Sequence, residues 1–76
     1  MRITNDDKRR MADKILAWGQ QLKNNLSVGD SMTALMVEHW LFGAERALKV
    51  LGLADLAQLA RDAQNDALAS EPEATK

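Results

Sequence analysis

The stretch from Met32 to Leu51 constrains the fold of this chain more than any other part of it. It is one helix long, and it has apolar side chains on too many sides for a small monomer to hide easily. At roughly 100° per residue, Met32, Met36, Val37, Trp40, Leu41, Ala44, Ala47 and Leu48 fill an arc of about 180°. One neighbouring helix covers much less than that. The sequence therefore predicts that two flanking helices share the arc, with Trp18, Leu22, Met36, Trp40 and Leu48 as core. Gly19 and Gly43 would let backbones approach closely beside the two Trp side chains.

The segments on either side read as those two helices. Thr4 followed by Asp7 has the spacing of a capping box, and Asp6 and Asp7 place negative charge at the positive end of a helix dipole. Met11, Ile15, Trp18, Leu22 and Leu26 then form one amphipathic stripe, and Asn24 and Asn25 end the helix, giving bounds of about 5–25. Residues 27–31 contain Gly29 and the cap candidates Asp30 and Ser31, a loop that reverses the chain into a second helix over about 31–51. Gly52 suits the left-handed position that closes a helix, and Leu53 can fold back onto Leu48. Over 54–69, Leu56, Ala60, Ala63 and Ala67 continue from Leu53 in a heptad-like pattern, but alanines bury little area, so the third helix should be weak alone. Residues 70–76, with Glu71, Pro72 and Glu73, read as a disordered tail. The expectation is an all-α, three-helix chain, a helical hairpin plus a shorter third helix, in a single domain over 1–69.

Size makes a second copy a natural supplement to this fold. A core in a chain of 76 residues rarely yields more than roughly 3 to 5 kcal/mol, and disulfides, metals or oligomerisation usually make up the rest. There is no cysteine and only one histidine, which leaves oligomerisation, and a helical homodimer is expected. With 46% apolar and 28% charged residues the chain has the composition of a folded domain rather than a disordered one. It shows no signal-peptide pattern and no run of about 18 apolar residues, so a cytoplasmic protein without a membrane partner is expected. Net charge is +3 over residues 1–26, −1 over 27–52 and −3 over 53–76. That asymmetry fits antiparallel docking of two copies, a directional encounter with a charged partner, or simply differently charged solvated faces.

Leu35 and Phe42 fall outside the 180° arc, among Glu38, His39, Glu45, Arg46 and Lys49. They are ordinary core if another helix packs there. Otherwise Leu35, Glu38, His39, Phe42 and Arg46 form a protein-binding or dimer stripe, in which aromatic and Arg side chains serve as anchors. No nucleophile with a base, no paired carboxylates and no metal set accompany them, so no catalytic, cofactor-binding or metal residue is assigned and no enzyme is expected. The reading this supports is a non-enzymatic protein-binding module, a small accessory regulator or inhibitor that masks a surface on a larger protein target.

Two further readings attach to particular residues. A helix-turn-helix-like DNA-binding regulator would use Ala47 to Leu51, a turn at Gly52 and a recognition helix from Leu56, with Gln58 and Arg61 as base readers. Asp55, Asp62 and Asp66 would then face phosphates, which makes nucleic acid an unfavourable partner. Over about 20 residues, His39, Leu41, Gly43, Ala44 and Leu48 resemble the helical signature of histidine phosphotransfer domains. That resemblance implies a four-helix bundle with His39 as phosphoryl acceptor; Phe42 stands where the family has Lys, and the later Gly falls at Gly52, three residues late.

Overall fold

Local chemistry sets each helix boundary. The computed structural model describes residues 2–69, which form α1 (Asn5–Ser27), α2 (Ser31–Val50) and α3 (Ala54–Ala69), with no strand among the described residues. The segment 70–76, expected as a tail, lies outside the described residues. At the start of α1 the Asp7 N–H donates to the Thr4 hydroxyl and the Thr4 N–H donates back to the Asp7 carboxylate, each at 3.1 Å. Asp is long enough to close this capping box. Asp30 caps α2 by accepting from the Thr33 N–H at 3.2 Å.

Both interhelical turns end the preceding helix in the same way. Gly29 and Gly52 sit at φ 77° and 78°, the left-handed region where an L side chain costs roughly 1 to 2 kcal/mol. After α1 the Asp30 N–H reaches the Asn25 carbonyl at 2.9 Å and the Gly29 N–H reaches Leu26 at 3.2 Å. After α2 the Leu53 N–H reaches Leu48 at 2.9 Å and the Gly52 N–H reaches Lys49 at 3.1 Å. These are Schellman closures, which satisfy the last carbonyls of each helix. The first one carries α1 two residues past the expected stop at Asn25, because Asn24 and Asn25 contribute carbonyls to the closure instead of breaking the helix.

The three helices pack pairwise around a core of Ile15, Leu22, Ala34, Val37, Leu41, Leu48, Leu56, Ala57, Ala60 and Ala67. Leu22, Val37 and Leu41 are fully buried, each contributing about 1.5 to 3 kcal/mol relative to exposure. Along α1 and α3 small residues set the spacing. A Cβ added to the buried Gly19 would lie 3.1 Å from the Ala63 Cβ, so these two helices approach at a distance where any side chain at residue 19 must be met by a small shift.

That close approach corrects the expected orientation of α2. Because α1 and α3 are drawn together, they offer α2 one seat, filled by Ala34, Val37, Leu41, Glu45 and Leu48. The core arc is thus turned by about 80° from the expected one. Met36 and Trp40, expected in the core, are 52% and 42% exposed. Trp18 is half-buried at the core edge. Gly43 faces open space, so no backbone approach occurs there.

The Gly19–Ala63 contact gives a direct test. Gly19→Val should push α1 from α3 and lower unfolding free energy by about 1 to 3 kcal/mol, the usual cost of overpacking, as measured by urea denaturation followed by circular dichroism.

Candidate interaction surface on the middle helix

With its core arc seated, α2 keeps apolar side chains over most of the circumference that remains. On the edge toward α3 lie Leu35 and Phe42, 54% and 52% exposed. His39 and Arg46 are exposed beside them, whereas Glu38 is half-buried. The Arg46 guanidinium stands 5.5 Å from the Phe42 ring centroid, a cation–π contact one helical turn apart. Glu38, His39 and Phe42 line a shallow hollow whose far wall is Gln64 of α3. The structure therefore brings the five expected contact residues to one edge of α2, and α3 does not cover Leu35 or Phe42.

On the outer side of α2, from Trp40 beside Trp18 of α1 round to Val50 beside Arg46, a second row is exposed that sequence reading assigned to the interior or passed over. Met32 is 81% exposed, Val50 87% and Leu51 54%, and Met36 and Trp40 join them. Gly43 and Ala47 lie between the large side chains and are also exposed. The Trp40 ring leans on Trp18 with centroids 5.7 Å apart and planes inclined by 50°. Beside this pair an open trough of about 380 Å³ runs between α1 and α2, lined by Met11, Ile15, Trp18, Ala44, Ala47 and Leu48, with Arg10 and Lys14 on its rim. Hydrophobic spacing marked this row as apolar but could not say which apolar stripe was core.

Glu45 explains why the wrong stripe looked internal. It is the buried charged residue of the core arc, and its carboxylate accepts from Lys49 at 3.1 Å and from Arg61 of α3 at 3.3 Å. The Lys49 hydrogen bond and the Lys49 and Arg61 charges hold its pKa below the ordinary 4.5, outweighing the opposite push of burial. Arg61, considered as a base reader, is thus engaged with Glu45, and Gln58 donates to Asp62 at 2.9 Å.

No cluster of three or more His, Asp or Glu side chains placed to hold a metal occurs among the described residues, and none of the helices is long and apolar enough to cross a membrane. The geometry defines a three-helix, all-α chain with an apolar outer face on its middle helix. Comparison with family models, with curated proteins and with solved structures gives no match.

The sign of the Glu45 linkage follows from its lowered pKa. A carboxyl whose pKa is depressed on folding stabilises the fold above its unfolded value, and that contribution disappears as pH falls through the folded value. Acid should therefore weaken the α2–α3 contact below about pH 4.5. In Glu45→Gln this part of the acid sensitivity should be absent, so the drop in melting temperature between pH 6 and pH 3 should be smaller than in the parent chain; an unchanged drop would assign it to other carboxylates.

Proposed function

We propose that this protein is a non-enzymatic protein-binding module that acts through the outer side of α2. In this reading it is a homodimer and a small accessory regulator or inhibitor that covers a surface on a larger protein. The observation that carries the reading is the amount of apolar surface on one helix. Leu35, Phe42, Met32, Met36, Trp40, Val50 and Leu51 are each 42% to 87% exposed. Together these residues expose on the order of 800 Å², spread over two edges of one helix, where the largest contiguous apolar patch on a typical monomer is roughly 300 to 600 Å².

The composition of the surface points the same way. Trp40 and Arg46 are residue types that dominate binding energy at interfaces, and Phe42 is of a type enriched there. Met32 and Met36 add adaptable thioethers, which repack readily against different shapes. The exposed charges on α2 are basic, Arg46 and Lys49, while its two acids are half-buried Glu38 and buried Glu45. A target with an apolar surface and an acidic rim complements this arrangement best.

The test uses Phe42→Asp. The side chain is 52% exposed, so helicity should be unchanged by circular dichroism. Binding to the protein that co-purifies with the parent chain from a source extract should weaken at least about tenfold. Retained capture by Phe42→Asp would remove this edge from the interface.

A further inference from the structure

We infer that the outward row Met36, Trp40, Gly43, Ala47 and Val50 of α2 is a self-pairing surface on which a second copy of the chain docks antiparallel, with the two-fold axis at Gly43 and the Trp40 side chain of each copy seated in the hollow of the other. This rests on the homodimer reading above and assigns it a face, a direction and a register.

The row has the periodicity of a helix–helix seam. Met36, Trp40, Gly43, Ala47 and Val50 are spaced four, three, four and three apart, the alternation that keeps one stripe facing a partner helix along its length. Its area is adequate. Met32, Met36, Trp40, Val50 and Leu51, exposed by 42% to 87%, present roughly 600 Å² per copy. Full coverage of these residues in two copies would bury about 1,200 Å², the lower bound of a stable specific interface, to which Trp18, Ala47 and the rims add.

Direction follows from the distribution of size along the row. Its N-terminal half carries Met32, Met36 and Trp40, whereas its centre is Gly43, Ala44 and Ala47. Those small residues, with Trp18 and Trp40 as walls, form a hollow of about 520 Å³. A Cβ added at Gly43 would meet nothing within 4 Å. In an antiparallel pair centred on Gly43, Met36 of one copy lies level with Val50 of the other and Trp40 level with Arg46, which sets the indole over Gly43 and Ala47 of the facing helix. The largest side chain of the row thus falls on its smallest residues. A parallel pair stacks Trp40 on Trp40 and leaves the two hollows facing each other as a void, which close packing disfavours. Charge agrees with the antiparallel choice. Arg46 and Lys49 of one copy then lie beside the half of the other helix that carries Glu38, instead of beside a second Arg46 and Lys49. The contact is isologous, so it closes at two copies.

Gly43 supplies the decisive variant, because it is open in the single chain and central in the pair. Sedimentation equilibrium should report a dimer for the parent chain. Gly43→Leu should keep or raise helicity, since leucine is the better helix former, while raising the dimer Kd by at least about 30-fold. Trp40→Ala should also weaken self-association. The chain has no cysteine, so single cysteines report register: Gly43→Cys should oxidise to a covalent dimer, and Met36→Cys should not. A parent chain that stays monomeric at every soluble concentration overturns the proposal, as does a Gly43→Leu chain that dimerises normally. Equal cross-linking of both cysteine variants overturns the antiparallel register. Phe42-dependent capture by a strictly monomeric chain would sink the self-pairing alone and leave the protein-binding reading standing.

Discussion

The contact between Gly19 and Ala63 governs the rest of this structure. Without a side chain at residue 19, α1 and α3 come close enough to act as one two-helix surface, and α2 then needs only one stripe of about five residues to seal the core. A side chain at residue 19 would have to be met by a shift of a few tenths of an ångström between α1 and α3. The exposed row of α2 lies opposite the seat that these two helices form together. Helix spacing in the core decides how much apolar surface is left outside it.

The three-helix architecture was legible in the sequence because its signals are local. Thr4 and Asp7, Asp30, and Gly52 with Leu53 each act within a few residues, and each takes the role its spacing implies. Gly29 carried the same closing signal as Gly52, but the two Asn residues before it suggested an earlier stop. The heptad-like positions of α3 likewise face inward or sit at the core edge, since amphipathic spacing needs no knowledge of the neighbours.

The rotation of α2 was not legible, for a physical reason that can be placed on one residue. Hydrophobic patterning treats a glutamate as a marker of solvent, yet Glu45 is 6% exposed because Lys49 and Arg61 bring it two cations. Lys49 is local and visible in the sequence, one helical turn away. Arg61 arrives from another helix and is not. Leu35, His39, Phe42 and Arg46 were found as an edge because they lay apart from any arc a neighbour could cover, a conclusion that did not depend on the exact rotation. Met32, Met36 and Trp40 were placed inside because an unbroken apolar stripe is the simplest guess at a core.

The tilted pair Trp18 and Trp40 has a practical meaning beyond packing. The chain contains two Trp and no Tyr, and both indoles sit at the open side of the bundle, with Trp40 42% exposed. Nearly all of its near-ultraviolet absorption and emission thus originates where α1 meets the outer side of α2, at the edge of the core. Intrinsic fluorescence of this protein responds both to anything that covers Trp40 and to loss of the packing around Trp18, while the helical backbone reports the bundle alone.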